Sequence, residues 1–235
     1  MLALILGTGI SASADLMNVN GILKYYDEYG REAKEIGLDI SSFNNQVDFQ
    51  ALHAQGFSFV IVRLGGRGWG NGKLYGDDLT QYNLRNAHEA GLKVGAYFYS
   101  TAINVTEAVE EASAAIATLN GFPLELPIYI DMEYSGNYPH GRADTLSPGG
   151  RADIVCAFCE AVEASGYSSG IYASEGYLRF DIDQHAVSYL PFWMASYTVD
   201  NQLPKHILNY EIWQQTDSAY AGGADGPFDL NIILS

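Results

Sequence analysis

The stretch that decides the fold lies at residues 126–134 and reads Leu-Pro-Ile-Tyr-Ile-Asp-Met-Glu-Tyr. Its apolar run predicts a buried β-strand, and the strand ends in an Asp-x-Glu pair, Asp131 and Glu133. Because alternate residues of a strand face the same side, both carboxyl groups should point into one site. Parallel β/α barrels carry their chemistry at the carboxyl ends of the strands, so the pair predicts an active site there. The alternative is a pair of loop-edge acids that cap helices or meet arginines.

Strand and helix patterns alternate on both sides of this stretch, which indicates parallel β/α architecture. Glycines follow the ends of the predicted helices, where a left-handed cap favours them. Helix evidence is weak after Ala173. The predicted strands are residues 36–40, 57–64, 93–99, 126–132, 169–173, 192–195, 210–214 and 228–232, and the predicted helices are residues 48–55, 77–90, 105–119 and 150–165.

These elements predict an α/β fold of the irregular TIM type, a single-domain barrel over residues 36–235. Residues 1–35 are interpreted as an N-terminal extension, with a short helix or stalk at residues 21–35. The apolar residues 2–7 and the small residues 11–14 resemble a signal peptide, although no basic segment precedes them, and a stub of a longer membrane-anchored or secreted protein is an equal alternative. No segment reaches the length of a membrane-spanning helix.

Composition narrows the choice of partners. The chain has 28 acidic and 12 basic residues, a formal net charge of −16, which repels phosphate backbones and disfavours nucleic acid. Anionic wall polymers should be repelled in the same way. The 17 tyrosines, 10 phenylalanines and 3 tryptophans weakly favour a carbohydrate ligand, because aromatic faces stack on sugar rings. We expect a monomer.

Two more acids strengthen the catalytic interpretation. Asp39 lies near the end of the first predicted barrel strand and Asp229 lies in the last one. First and last strands are neighbours in a closed barrel, so these acids should converge on Asp131 and Glu133. A buried cluster of four carboxylates is costly unless a function or a metal requires it.

A metal site is the rival interpretation of these acids. None of the five histidines lies at a strand end, and no His-x-His or His-Glu-x-x-His motif occurs, so we predict no metal. A hard cation held by oxygen ligands alone stays open as an alternative.

A glycine-rich run at residues 65–70 follows the second strand. It resembles a phosphate loop only superficially, since it lacks Gly-Lys-Ser/Thr. We interpret it as an active-site loop in which Arg63, Arg67 or Trp69 contacts substrate.

Together these motifs resemble glycoside hydrolase family 25, the lysozymes (N-acetylmuramidases) of phage, bacteria and some fungi. The resemblance covers most of residues 36–235, with its pieces in the family's order. The one departure is the loop after the second strand, where the family often carries Lys-x-Ser/Thr-Glu-Gly. The matching pieces are residues 37–41, 90–98, 127–133, 170–172, 191–197, 211–214 and 229–231.

The resemblance implies hydrolysis of the β-1,4 bond between N-acetylmuramic acid and N-acetylglucosamine in peptidoglycan glycan strands, outside the cell or at its wall. It implies no cofactor. Glu133 would be the general acid and Asp131 its partner, with Asp39 and Asp229 completing the acidic cleft. The expected substrate-binding residues are Tyr97, Tyr172, Trp193, Gln214, Arg63 and Tyr134.

Two other functions stay open. A chitinase-type hexosaminidase shares the barrel and the Asp-x-Glu ending, but its longer motif needs acids at the positions of Leu126 and Tyr129. A non-catalytic glycan-binding barrel is the second, and the intact Asp131 and Glu133 argue against it.

Overall fold

The computed structural model describes residues 15–136, 140–198, 202–207 and 209–234. Its strands are β1 Asp15–Val19, β2 Ile22–Tyr26, β3 Glu35–Ile40, β4 Phe59–Arg67, β5 Leu74–Gly76, β6 Lys93–Ser100, β7 Ile128–Met132, β8 Ser169–Ser174, β9 Phe192–Ala195, β10 Tyr210–Ala219 and β11 Phe228–Ile233. Its helices are α1 Phe49–Ala54, α2 Thr80–Glu89, α3 Val105–Leu119, α4 Pro148–Ala164, α5 Glu175–Phe180 and α6 Gln184–Val187.

Eight strands close into a barrel in the order β3, β11, β10, β9, β8, β7, β6, β4, and the β3–β4 pairing completes the ring. All eight predicted strands occur in it, and the four predicted helices correspond to α1 to α4. The α/β barrel prediction is therefore confirmed. The sequence interpretation missed the short elements β5, α5 and α6.

The last strand runs against the expected parallel arrangement. β11 pairs antiparallel with both β10 and β3, whereas the other neighbouring barrel strands pair parallel. Its first residues therefore lie at the end of the barrel where the other strands finish. This reversal sets Asp229 directly opposite Asp39, at the mouth.

The start of the described chain is a β-hairpin, so the short helix expected within residues 21–35 is wrong. β1 and β2 pair antiparallel around Asn20 and Gly21, which both have positive φ, 55° and 90°. Asn-Gly is the residue pair that such a two-residue turn favours. The ring of Tyr25 packs edge-on against Trp213 of β10 at 5.8 Å. The hairpin thus packs against the outside of a barrel strand.

Aromatic side chains fill the inside of the barrel and form the floor of the mouth. Trp193 lies 4.3 Å from Tyr172 and 5.4 Å from Tyr129, between ring centroids. The rings need room on neighbouring strands, since a methyl group at Gly170 would lie 2.7 Å from the Tyr129 ring. A second apolar layer separates the strands from the helices. Among the described residues, no helix is long and apolar enough to cross a membrane.

Candidate active site

Four carboxylates meet at the mouth of the barrel. Asp131 is the last inward-facing residue of β7 and is 3% exposed, while Glu133 follows the strand and is open to solvent. Asp39 of β3 faces Asp229 of β11 across the antiparallel pairing. The structure thus brings together the four acids that the sequence singled out.

Asp131 and Glu133 behave as one titrating pair. Burial raises the pKa of Asp131 well above its ordinary value, and the charges of Glu133 and Asp39 raise it further. Glu133 keeps an exposed side chain, but its partial withdrawal from water at the rim of the mouth raises its pKa, and its interaction with Asp131 opposes this. Two adjacent carboxylates resist double ionisation, so the pair retains one proton beyond the range of an ordinary acid. General acid catalysis requires such a proton.

Asp39 is held by a network of side-chain amides. Its Oδ2 accepts hydrogen bonds from Nε2 of Gln214 at 2.8 Å and from Nδ2 of Asn231 at 2.7 Å. Burial first, and then the charge of Asp229, raise the pKa of Asp39 well above its ordinary value. Asp39 and Asp229 therefore resist ionising together, as Asp131 and Glu133 do.

The amides of this network are themselves oriented by aromatic residues. Oε1 of Gln214 accepts from the hydroxyl groups of Tyr172 at 2.8 Å and Tyr197 at 2.9 Å. Nε1 of Trp193 donates to Oδ1 of Asn231 at 2.7 Å. Since each amide accepts on its oxygen side, both must present their NH₂ groups to Asp39.

Four of the predicted substrate-binding residues lie in or under the floor of the mouth. Tyr172 and Gln214 are buried in the floor, and Trp193, only 1% exposed, lies beneath them. Trp193 is therefore placed to support the floor and not to stack openly on a sugar. Tyr97 lies on the floor beside Trp193, with ring centroids 5.8 Å apart.

Arg63 reaches the mouth, but its charge is committed to Asp77. Its Nε donates to Oδ2 of Asp77 at 2.9 Å, and Nη2 lies 2.7 Å from the same oxygen. Asp77 also accepts from the backbone and the hydroxyl of Ser42. The guanidinium lies 4.7 Å from the ring centroid of Phe43, which is exposed at the rim.

Of the three candidates for substrate contact around the glycine-rich run, Arg67 does not lie at the mouth. Arg67 is buried away from the mouth, where it donates to Oε1 of Glu111 at 2.8 Å and Oε2 of Glu110 at 3.0 Å. Its Nη1 also donates to the carbonyl of Gly72 at 2.8 Å. It anchors the β4–β5 hairpin to α3. Trp69 lies at the tip of that hairpin and is partly exposed.

A cleft of about 400 Å³ opens beside Glu133, on the β8 and β9 side of the mouth. Its wall includes Tyr134, whose hydroxyl donates to Oδ1 of Asp181 at 2.6 Å and whose ring packs edge-on against Tyr177 at 5.4 Å. The lining residues are Met132, Glu133, Tyr134, Tyr172, Ser174, Tyr177, Ala195 and Tyr197.

Some of these residues escaped the sequence prediction. Tyr177 lies on α5, a short helix with no clear periodicity. Tyr197 and Asn231 lie inside two of the motifs that carried the resemblance, and their positions in those motifs could have singled them out. Within the part of the chain that the structure describes, no group of three metal-ligating side chains is placed to hold a metal ion.

A family model and individual relatives both match this chain. The family model of the glycosyl hydrolases family 25 matches residues 38–224, well over half of the chain. The autolytic lysozyme of Clostridium acetobutylicum is 26% identical over 195 residues, 83% of this chain and 54% of that protein. Lysozyme M1 of Streptomyces globisporus is 23% identical over 203 residues, 83% of this chain and 66% of that protein.

Solved structures share the fold. The modular autolysin LytC of Streptococcus pneumoniae, in complex with a synthetic peptidoglycan ligand, superposes with a TM-score of 0.77 at 20% identity, covering 93% of this chain and 52% of that one. A family 25 glycosyl hydrolase of Bacillus anthracis superposes with a TM-score of 0.71 at 19% identity, covering 86% and 90%. The chain spans about half the length of the Clostridium lysozyme and of the Streptococcus autolysin. By its barrel, its four converging carboxylates and the family match, this chain belongs to the glycosyl hydrolases family 25.

Proposed function

We propose that this chain is a lysozyme that hydrolyses the β-1,4 bond between N-acetylmuramic acid and N-acetylglucosamine in peptidoglycan. One observation carries the proposal: a buried Asp131, whose pKa is raised by burial and by the charge of Glu133, lies beside the exposed Glu133 at the mouth of a family 25 barrel. The named relatives, an autolytic lysozyme and a lysozyme, support the choice of substrate.

Glu133 is proposed as the general acid. It is the outermost of the four carboxyl groups and lines the tyrosine-walled cleft, so it can reach a glycosidic oxygen from the side. Its proton passes to that oxygen as the bond between the oxygen and the anomeric carbon breaks. The freed sugar leaves with a new hydroxyl group.

Asp131 is proposed to act on the sugar that keeps the anomeric carbon. In the substrate-assisted route, the acetamido oxygen of that sugar attacks the anomeric carbon and forms a cyclic cationic intermediate. The Asp131 carboxyl would orient the acetamido group and stabilise this charge. Water then attacks the anomeric carbon, Glu133 takes the proton from the water, and the ring of the intermediate reopens.

The substrate-assisted route retains the β configuration, because the anomeric carbon is attacked twice from opposite faces. An inverting pair would instead hold a water between carboxyl groups about 6.5–9.5 Å apart. Asp39 and Asp229 would hold negative potential behind the reacting sugar. Their amide network keeps that potential fixed while the Asp131–Glu133 pair exchanges its proton.

The proposed place of action is the cell wall or the space outside the cell, where peptidoglycan lies. The net charge of −16 gives no attraction to anionic polymers, so recognition should depend on stacking and hydrogen bonds in the cleft. Glycan strands are the proposed partners. Tyr97, Tyr134 and Tyr172 are the proposed sugar contacts near Glu133, with Arg63 at the opposite rim.

Mass spectrometry of digested and borohydride-reduced peptidoglycan tests the bond that is cut. The proposal expects reduced muramic acid at the new ends. Reduced glucosamine at those ends would instead make the enzyme a glucosaminidase. Cleavage of soluble chitin with inert peptidoglycan would favour the chitinase-type alternative.

Proton NMR of fresh product from a short glycan, read before mutarotation, tests the route. The proposal expects a β product first, and very slow turnover of glycans that lack the N-acetyl group at the cleaved sugar. An α product would rule out both retaining routes and would assign the activation of water to Asp131, Asp39 or Asp229.

A further inference from the structure

Gly66 of β4 is a position at the barrel mouth that has no side chain. Gly66 of β4 pairs with Tyr99 of β6, and Tyr99 pairs with Asp131 of β7. A methyl group at Gly66 would lie 2.9 Å from Cβ of Tyr99, so it would point to the same side as that ring. Tyr99 in turn lies within reach of the charges of Asp131 and Glu133. Gly66 thus marks a gap beside the catalytic pair.

The β4–β5 hairpin fills this gap with Tyr75. A methyl group at Gly66 would lie 2.6 Å from Oη and 2.8 Å from Cζ of Tyr75, so the phenol end of the ring occupies that space. At Gly65 a methyl group would lie only 2.2 Å from the backbone oxygen of Tyr75. The two glycines therefore allow β5 to lie close against β4 with its tyrosine turned inward.

The Tyr75 hydroxyl faces the mouth and is available to a ligand. The charges of Arg63 and Asp131 both act on the pKa of Tyr75, which burial raises first. The side chain stays 42% exposed. Among the described residues no group forms a hydrogen bond with its hydroxyl, in contrast to the hydroxyl groups of Tyr172 and Tyr197, which are committed to Gln214.

The hairpin that carries Tyr75 is held in place before any ligand binds. Its strands are tied by a hydrogen bond from Gly68 N to Lys73 O at 2.9 Å. Arg67 donates a hydrogen bond to the carbonyl of Gly72. Arg142, in the loop after β7, donates its backbone N–H to the carbonyl oxygen of Trp69 at 3.0 Å. A ring presented by an anchored hairpin avoids the ordering cost that a free loop would have on binding.

We propose that Tyr75 is a substrate-contacting residue that helps to determine specificity. It binds the N-acetylated sugar on the β4 side of Asp131, with its hydroxyl donating to an oxygen of that sugar. The tyrosine-walled cleft lies on the other side of Asp131, so the glycan strand crosses the mouth from Tyr75 to Tyr134. This inference rests on the proposed function, and it gives the glycine-rich run a role through the hairpin strand that packs on it.

Binding measurements on an inactive parent test this inference. The parent carries Glu133→Gln, and the probe is a tetrasaccharide of alternating N-acetylglucosamine and N-acetylmuramic acid, followed by calorimetry. Tyr75→Phe removes only the hydroxyl and should weaken binding by about 3- to 10-fold, the usual contribution of one net hydrogen bond. Tyr75→Ala should weaken it more. In the active enzyme both changes should raise KM with little change in kcat.

Tyr189 offers the matched control, because it is an exposed tyrosine that precedes β9 at the opposite end of the barrel. Tyr189→Phe and Tyr189→Ala should leave binding and KM unchanged. If Tyr75→Phe and Tyr75→Ala bind the tetrasaccharide as tightly as the parent, the inference is wrong while the proposed function stands. If the parent itself binds no tetrasaccharide, both fail together.

Discussion

Two groups of carboxylates in this chain have opposite electrostatic surroundings. The mouth carboxylates are Asp39, Asp131, Glu133 and Asp229, and the α3 carboxylates are Glu107, Glu110 and Glu111. Both groups are dense in negative charge. They differ in whether arginines accompany them.

The α3 carboxylates are matched by cations. Arg142 forms a two-pronged contact with Glu107, with Nη2 at 2.7 Å from Oε1, and lowers the pKa of that residue. Arg67 lies between Glu110 and Glu111. The group joins the β4–β5 hairpin and the loop after β7 to the helix, so its role is structural.

The mouth carboxylates have no such match. Within the described residues no ion pair reaches any of the four, and Arg63, the nearby cation, is paired with Asp77. The pKa of each is raised, with burial as the first cause. An uncompensated cluster costs stability, and proteins tolerate that cost mainly at functional sites. The missing counter-charge therefore distinguishes the reactive group from the structural one.

The same substitution in each group should give opposite results. Glu133→Gln keeps the shape of the side chain but cannot deliver a proton, so kcat should fall by about 10²–10⁴-fold while glycan binding persists. Glu110→Gln, its control among the α3 carboxylates, should leave turnover of purified cell walls close to that of the wild type. Lysis of cell walls by Glu133→Gln at the wild-type rate would contradict the assignment of Glu133 as the general acid.

Asp131→Asn should cost less, roughly 10²-fold in kcat, because it removes the charge that stabilises a cationic intermediate but leaves the acid in place. Turnover of a short N-acetylated glycan is the measurement, with its KM recorded separately. An unchanged kcat would contradict the assignment of Asp131 to the cationic intermediate.

Asp39→Asn should lower kcat less than Asp131→Asn does, by about 10-fold, because Asp39 lies behind the reacting pair and burial already disfavours its charge. Asn231→Leu is a useful companion, since it removes one of the two amides that hold Asp39. If either variant lost as much activity as Glu133→Gln, Asp39 would be the primary acid.

Glu111→Gln should change stability and not activity. Burial raises the pKa of Glu111 to about 7 in the folded state, from an ordinary value of 4.5. The folded wild type therefore loses stability as pH rises from 4.5 to 7, by about 3 kcal/mol, and the glutamine variant should escape this loss. Urea unfolding at pH 4.5 and pH 8 measures it. If the free energies of unfolding of variant and wild type differed by the same amount at both pH values, the raised pKa of Glu111 would be contradicted.

Much of this arrangement was predictable from the sequence. The period of two along residues 126–134 placed Asp131 and Glu133 correctly, and barrel closure brought Asp39 to Asp229. The reversal of β11 was not predictable, because an apolar strand reads the same in either direction. Arg63 and Arg67 are four residues apart in one glycine-rich segment, and nothing local distinguishes the one at the mouth from the one under α3. Their partners, Asp77 and Glu111, lie 14 and 44 residues further along the chain and meet them only in the fold.

The N-terminal hairpin shows a different limit. Its Asn-Gly turn was a readable signal, but the charge-dense residues after it resembled a helix or stalk. The role of Tyr25 depends on its ring contact with Trp213, and no local sequence pattern connects these two residues.

One measurement tests the contrast between the two groups directly: a carbon-13 NMR titration of the glutamate side-chain carboxyls, with Glu133 and Glu107 assigned from their glutamine variants. We expect a titration midpoint above the ordinary 4.5 for Glu133, in an acidic cluster without a cation, and below 4.5 for Glu107, beside Arg142. If Glu133 titrated at or below 4.5, it would be an ordinary exposed acid, and the claim that the mouth retains a proton for catalysis would be contradicted.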